Sequence, residues 1–221
     1  MLNDLKSELE SSGYKVNEII PNILSVENFL SDDEIDGILD VINNASEDDW
    51  KQEYLNNLKP FCMQKFGRDD VENLVAEGKF EITVNWEDKN LDIAHLYPNI
   101  HDIYSRLQRI ITKLTENKLQ IGGMRTIQRM YDGVELKSHT DQHTDPSIRY
   151  ATIIYLNDNY VNGELFFVNK DLDVRPKPGT LLVFPGNEEF EHGVKHVGKG
   201  PMRYVIVGFI KVSKFYENNR Y

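Results

Sequence analysis

A chain of 221 residues, of which 40% are hydrophobic, is long enough to form one folded domain with a sizeable core. Its 25 Lys and Arg residues against 36 Asp and Glu give a net charge of −11, so we expect no nucleic-acid partner. Cys62 is the single cysteine and there is no apolar run of the ~20 residues that span a bilayer, so we expect a cytoplasmic protein with no membrane partner.

The first 117 residues are predicted to be mainly helical support. A short amphipathic helix is expected over 2–10 and a short strand over 23–29. The acidic, serine-led start at 31–44 is typical of a capped helix whose apolar residues recur at helical spacing. A second clear amphipathic helix is predicted from about residue 99 to residue 115. The apolar sides of these helices are expected to be core.

The segment from about Pro60 to His95 has no clear period of either kind. It is rich in charges and carries isolated aromatic residues, which suits a segment that orders when a ligand binds. We therefore predict a substrate lid here, and an ordinary helical insertion packed on the remainder of the domain is an equal alternative. The isolated aromatic residues are Phe61, Phe66, Phe80 and Trp86.

From residue 118 to residue 213 the pattern changes to short runs of β-branched and aromatic residues, separated by turn residues. Many short strands without intervening helices favour a mainly β (α+β) fold, a double-stranded β-helix, that is, a jelly-roll or cupin-like barrel with supporting N-terminal helices. The expected organisation is one domain over 1–221 with a C-terminal tail at 214–221.

The triplet His139-Thr140-Asp141 closes one of these strands. Residues two apart on a strand point to the same face, so the imidazole and the carboxylate could bind one ion. His192 follows the apolar run LLVFP and could supply a third ligand from a distant strand. Two histidines and one carboxylate form the facial triad of non-haem iron sites, which leaves positions open for a co-substrate and dioxygen.

Five segments between residues 130 and 209 resemble, in order and spacing, the 2-oxoglutarate/iron(II)-dependent oxygenases, and within them the prolyl 4-hydroxylase-like branch. These segments are MYDGVELKSHTD, RYATIIYLND, NGELFF, PGTLLVFPG and HGVKHVGKGPMRYVIVGF. The segment ILSVENFLSDDEIDGIL near the N-terminus resembles the start of such hydroxylase domains. The predicted fold and the three proposed metal ligands agree with this resemblance.

Carried over residue by residue, the resemblance implies that His139, Asp141 and His192 bind iron. It also implies that Arg203 pairs with the distal carboxylate of 2-oxoglutarate, a task that the planar guanidinium suits. Tyr155 matches a tyrosine that shares this carboxylate. Among further residues, Tyr131 matches a tyrosine beside the metal-bound end, and Phe209 stands where the nucleic-acid repair branch has a second arginine.

Two alternatives to these ligands are present in the sequence. His143 and Asp145 form a second triplet of the same kind, but they precede Pro146 in a predicted turn. His196 has the same strand parity as His192, yet it stands only seven residues before Arg203, closer than the resemblance implies. We therefore expect the first triplet and His192 to bind the metal.

The resemblance implies an enzyme that uses Fe(II), 2-oxoglutarate and O2, with ascorbate as a further candidate cofactor, and that hydroxylates a carbon centre. A prolyl residue in a peptide or protein is the expected substrate, with a free amino acid or another small molecule as the alternative. A metal-binding module without catalysis and an oxygenase independent of 2-oxoglutarate are the competing hypotheses. The sequence gives no indication of oligomeric state.

Overall fold

The structure is a computed structural model that describes residues 1–51, 89–92, 97 and 99–213. Two antiparallel sheets carry the fold. The larger sheet contains β1 (Lys15–Ile20), β2 (Ile23–Glu27), β3 (Trp50–Lys51), β4 (Lys89–Asp92), β5 (Leu119–Met130), β7 (Ile148–Tyr155), β10 (Leu181–Pro185) and β12 (Arg203–Val212). The smaller sheet contains β6 (Leu136–His139), β8 (Leu165–Phe167), β9 (Leu172–Val174) and β11 (His192–Val194).

The strand order is β1-β2-β10-β7-β12-β5-β4-β3 in the larger sheet and β6-β11-β8-β9 in the smaller one. Side chains of both sheets share one buried cluster, so the sheets lie face to face. Within the described ranges the two sheets do not join into one closed barrel. The predicted jelly-roll class is confirmed in this open, two-layered form.

The central strands of the larger sheet are apolar at successive positions, and both of their faces are buried. Leu181 and Val183 face one cluster of the core, whereas Leu182 and Phe184 face the cluster between the sheets. Ile154 and its neighbour Tyr155 divide in the same way. Successive side chains of a strand point to opposite faces, so such continuous apolar runs are typical of a sheet covered on both sides.

Three helices cover the outer face of the larger sheet: α1 (Leu2–Ser11), α2 (Asp32–Asn44) and α3 (Ile100–Thr115). The start of α2 is fixed by a capping box, in which Ser31 and Glu34 each accept a hydrogen bond from the other's backbone N–H. The buried helical residues are Leu2, Leu5, Leu9, Ile35, Ile38, Ile42, Ile100, Ile103, Leu107 and Ile111. These are the apolar faces that the sequence predicts.

The N-terminal half is less purely helical than expected, because it also contributes β1 to β4 to the larger sheet. The strand predicted over 23–29 is β2, which ends at Glu27. β1 lies at the sheet edge and is mostly exposed, so its sequence lacks a clear alternation. The predicted lid at 60–95 and the tail at 214–221 lie outside the described residues, and both remain predictions.

None of the described helices is both long and apolar enough to cross a membrane.

Candidate active site

The sheet register brings the two predicted metal-binding histidines together. His139 is the last residue of β6, His192 is the first residue of β11, and the two are direct partners in the antiparallel pair. Asp141 begins a short helix, α4 (Asp141–Thr144), immediately after Thr140. β11 is the neighbour of β6 in the smaller sheet. This pairing therefore brings His192, which is distant in sequence, next to the His139-Thr140-Asp141 triplet.

The three side chains form a compact cluster, in which one candidate ligand atom from each lies within 4.8 Å of the others. The carboxylate of Asp141 lies between the imidazoles, 3.8 Å from Nε2 of His139 and 3.9 Å from Nε2 of His192. Asp141 and His192 are buried, whereas the His139 side chain is 28% exposed. This arrangement offers two nitrogen ligands and one oxygen ligand to a single ion from one side.

Backbone carbonyls fix the tautomer of both imidazoles. Nδ1 of His139 lies 3.0 Å from the carbonyl oxygen of Lys137, and Nδ1 of His192 lies 3.0 Å from that of Phe190. A carbonyl oxygen only accepts, so each Nδ1 must carry the proton and donate it. Nε2 of each ring then carries the lone pair, which is the arrangement that metal-binding histidines require.

Burial changes the protonation of the cluster in the absence of a cation. It lowers the pKa of His192 to about 3, with the neighbouring His139 acting in the same direction. Burial also lowers the pKa of His139. The pKa of Asp141 is raised to about 7 by burial, against a smaller opposing effect of Lys211. Two neutral imidazoles and a carboxyl group that needs a positive partner suit a divalent cation.

Two glycines beside the cluster allow neighbouring backbone and side chains to lie unusually close. A Cβ on Gly193 would lie 2.5 Å from the carbonyl oxygen of Leu136 on the neighbouring strand, so only glycine fits beside His192. At Gly186, a Cβ would lie 3.1 Å from that of Asp141. Glycine at these two positions, in β11 and directly after β10, therefore leaves room for the backbone of β6 and for Asp141.

The competing histidines do not join the cluster. His143 is on α4 but is 70% exposed, with Nε2 3.6 Å from a carboxylate oxygen of Glu188. His196 and His101 are also exposed, and His95 lies outside the described residues. The structure therefore groups the triplet with His192, as the sequence predicts, and the iron-binding role of these residues stays a prediction.

Arg203 opens β12 and is 1% exposed, so its charge lies in the interior between the sheets. Nη2 donates to the hydroxyl of Tyr155 at 3.4 Å, and Nη1 contacts Sδ of Met130 at 3.6 Å. Nε has no hydrogen-bond partner, and no carboxylate among residues 1–51 and 99–213 pairs with this guanidinium. A buried cation without an anion is costly, so this position is suited to an anionic ligand.

The predicted tyrosines differ in position. Tyr155 is fully buried beside Arg203, and burial raises its pKa to about 12 while Arg203 opposes the change. Tyr131 is only partly buried and packs against the cluster between the sheets, so its predicted role at the metal-bound end remains open to test. Sequence reasoning missed Tyr160, which is 2% exposed and lies near Arg203. Its five-residue distance from Tyr155 gives no signal of this proximity.

Comparison with known proteins finds a family model and curated relatives that match part of this chain. Residues 126–211 match the model of the 2OG-Fe(II) oxygenase superfamily. Over 65 residues the chain is 34% identical to prolyl 3-hydroxylase 2 of Homo sapiens and 32% identical to that of Rattus norvegicus. Each match covers 27% of this chain but only 9% of the relative, so it concerns a small part of those proteins.

Solved structures show the same fold. A prolyl hydroxylase from Trichoplax adhaerens, in complex with a peptide fragment of the hypoxia inducible factor oxygen degradation domain, has a TM-score of 0.58 at 16% identity and covers 99% of this chain and 92% of its own. The viral collagen prolyl hydroxylase from Paramecium Bursaria Chlorella virus-1, in its 2OG complex, has a TM-score of 0.57 at 16% identity over 87% and 97% of the two chains. An oxidoreductase from Burkholderia pseudomallei has a TM-score of 0.55 at 13% identity over 96% and 90%.

Proposed function

We propose, from the match of residues 126–211 to the model of the 2OG-Fe(II) oxygenase superfamily, that this chain is a dioxygenase that hydroxylates a carbon centre, a prolyl residue of a peptide or protein. The observation that carries the proposal is the pairing of two features in one interior. A cluster of two neutral imidazoles and a carboxyl group lies on the smaller sheet, and the unpaired guanidinium of Arg203 lies on the larger one.

The residues present fit both groups that such an enzyme needs. Iron would be held by Nε2 of His139, Nε2 of His192 and a carboxylate oxygen of Asp141, whose Oδ2 is buried without a hydrogen-bond partner in the described part of the chain. 2-Oxoglutarate would place its distal carboxylate on Arg203. Bound together, these groups supply oxidation by dioxygen, with 2-oxoglutarate converted to succinate and carbon dioxide and one oxygen atom inserted into a substrate C–H bond.

The side chains of the protein orient these groups and keep water out. The Nδ1–H groups of the two histidines donate to backbone carbonyls, which fixes the direction of both Nε2 lone pairs. Arg203 is held by Tyr155, and since the tyrosine oxygen accepts from Arg203, its own proton remains for donation to a carboxylate. The rings of Phe167 and Phe184, both buried, lie 5.9 and 4.8 Å from that of His192 and give this interior an apolar lining.

The solvent exposure of His139, at the metal cluster, and of Arg203, at the other end of the site, indicates how substrates reach the site. His139, at the metal end, is partly exposed, whereas Arg203 is sealed. A small dicarboxylate would therefore occupy the interior, and a peptide would approach from the side of His139. A prolyl substrate is supported by the names of the similar proteins and not by a contact in this structure.

The test is to incubate the protein with Fe(II), 2-oxoglutarate and ascorbate in air, with proline-containing peptides in one set and free amino acids in another. We expect succinate and a peptide product heavier by one oxygen atom, and neither product without 2-oxoglutarate. Hydroxylation of a free amino acid, without hydroxylation of any peptide, would indicate that the substrate is a small molecule. Absence of succinate in every reaction of an iron-loaded protein would refute the oxygenase itself.

A further inference from the structure

Tyr160 is a buried tyrosine whose hydroxyl proton has no acceptor among the residues described. The residue is 2% exposed, and its Oη has no hydrogen-bond partner among residues 1–51 and 99–213. A buried hydroxyl normally has a partner, because it loses its hydrogen bonds to water when the chain folds. An exception beside a proposed binding site points to a ligand that supplies the missing partner.

The ring of Tyr160 lies next to two guanidinium groups. Cζ of Arg203 is 5.9 Å from the ring centroid, and Cζ of Arg175 is 4.8 Å from it. Arg175 already has an anion, because it pairs with Glu164 at 2.6 Å. Arg203 has none in the described part of the chain, so the uncompensated charge near Tyr160 is that of Arg203.

The loop that carries Tyr160 is fixed in place. Arg175 donates to the carbonyl oxygens of Tyr160 at 3.0 Å and of Asn162 at 2.5 Å. Gly163 has a φ of +72°, and a Cβ there would lie 3.5 Å from Cδ of Arg203 and 3.3 Å from the Tyr160 ring. The loop therefore lies against the stem of Arg203, which places the Tyr160 side chain beside this guanidinium.

We propose that Tyr160 donates a hydrogen bond to the distal carboxylate of 2-oxoglutarate, beside Arg203 and Tyr155. The inference rests on the proposed function. A carboxylate offers about four lone-pair sites, of which a bidentate arginine uses two, so two tyrosine hydroxyls can use the others. Burial raises the pKa of Tyr160, and Arg203 and Arg175 oppose the change, so near neutral pH the side chain is a neutral O–H donor.

A consequence is selectivity for a 2-oxo acid that ends in a carboxylate. A chain of the same length without that group, 2-oxopentanoate, would leave Arg203 and both hydroxyls without an anion. The contribution of Tyr160 should therefore be present for 2-oxoglutarate and absent for 2-oxopentanoate.

The experiment is anaerobic calorimetry of each acid with the Fe(II)-loaded full chain and its Tyr160→Phe variant. Removal of one hydrogen bond to a charged group should weaken 2-oxoglutarate binding by about 10- to 100-fold and leave 2-oxopentanoate binding within about twofold. The matched control is Tyr204→Phe, whose hydroxyl contacts Sδ of Met202 at 3.4 Å and which should change neither affinity.

Equal weakening of both acids in Tyr160→Phe would overturn the proposal, because it would indicate a packing role. Unchanged 2-oxoglutarate binding would overturn it as well. If Arg203→Met weakens 2-oxoglutarate binding in that case, the proposed function stands without Tyr160. If the parent protein with Fe(II) binds no 2-oxoglutarate, both this inference and the proposed function fail.

Discussion

Two buried arginines lie on neighbouring strands of the larger sheet and differ in what neutralises them. Arg129 on β5 is 6% exposed, and its guanidinium makes two hydrogen bonds to the carboxylate of Glu47, at 2.9 and 2.5 Å. It also lies over the ring of Trp50, with Cζ 4.3 Å from the centroid. Arg203 on β12 is 1% exposed and has neither a carboxylate nor a stacked tryptophan among the residues described.

The sheet places these arginines on opposite faces. Arg129 is the register partner of Tyr204, the residue after Arg203, and successive residues of a strand point to opposite sides. Arg129 therefore belongs with the helix-covered face, and Arg203 with the space between the sheets. The difference teaches that burial of a cation alone does not identify a binding site. A buried cation that the fold leaves without an anion does.

The largest expected effect is at the metal ligands, because 2-oxoglutarate, the proposed ligand of Arg203, must also bind the iron. His139→Ala and His192→Ala should each abolish stoichiometric iron binding while the far-UV circular dichroism stays that of the parent. The parent should bind one iron per chain. His143→Ala, at a 70% exposed position, is the matched control and should bind iron as the parent does.

Iron titration followed by metal analysis measures all of these variants. Should His196→Ala abolish iron binding while His192→Ala retains it, the assignment of the third ligand is wrong.

Arg203→Met should weaken 2-oxoglutarate binding by about 100-fold or more, as expected for loss of one partner of a buried charge pair worth about 3–5 kcal/mol. The affinity for Fe(II) should not change. Because the variant removes a buried charge without an anion, its thermal midpoint in the absence of ligands should equal or exceed that of the parent. Anaerobic calorimetry and thermal unfolding give both values, and parent-like 2-oxoglutarate affinity would contradict the role of Arg203.

Arg129→Met should give the reverse result. The free energy of unfolding should fall by about 1–2 kcal/mol, through loss of the stacking on Trp50 and of an ion pair whose glutamate is largely exposed. The affinity for 2-oxoglutarate should stay within about twofold of the parent. Urea unfolding and calorimetry on the same sample measure the two quantities. A large loss of 2-oxoglutarate binding in this variant would contradict the assignment of Arg129 to stability and of Arg203 to ligand binding.

Tyr155→Phe should give the smallest of these effects, because the hydrogen bond from Arg203 is long at 3.4 Å. We expect 2-oxoglutarate binding to weaken by about 10-fold, the low end for loss of a hydrogen bond donated to a carboxylate, with little change in thermal midpoint. Tyr131→Phe, at the other tyrosine that the resemblance implies, is the comparison variant, and calorimetry measures both. A larger loss in Tyr131→Phe than in Tyr155→Phe would reverse the order of importance that burial indicates.

The helices, the jelly-roll strands and the proposed ligands were predictable because each leaves a local signal. Ile100 to Thr115 carries its buried residues at helical spacing, and the triplet at His139 closes a strand. His192 was recognisable from the apolar run before it. The family motifs added Arg203, which composition and periodicity alone would not distinguish from a surface arginine.

The remainder depends on contacts between distant parts of the chain. Arg129 and Glu47 are 82 residues apart in sequence, and no local pattern indicates that one neutralises the other. Tyr160 resembles any loop aromatic until Arg175 and Gly163 fix its loop against Arg203. The strands β1 and β4 are short or edge-placed, so tertiary pairing and not their own propensity defines them.

The most direct measurement is a crystal structure of the protein grown without oxygen in the presence of Fe(II) and 2-oxoglutarate. We predict one metal ion bound by Nε2 of His139, a carboxylate oxygen of Asp141 and Nε2 of His192, with the far carboxylate of 2-oxoglutarate on the guanidinium of Arg203. A metal ion bound instead at His143 or His196, or 2-oxoglutarate bound away from Arg203, would contradict this account.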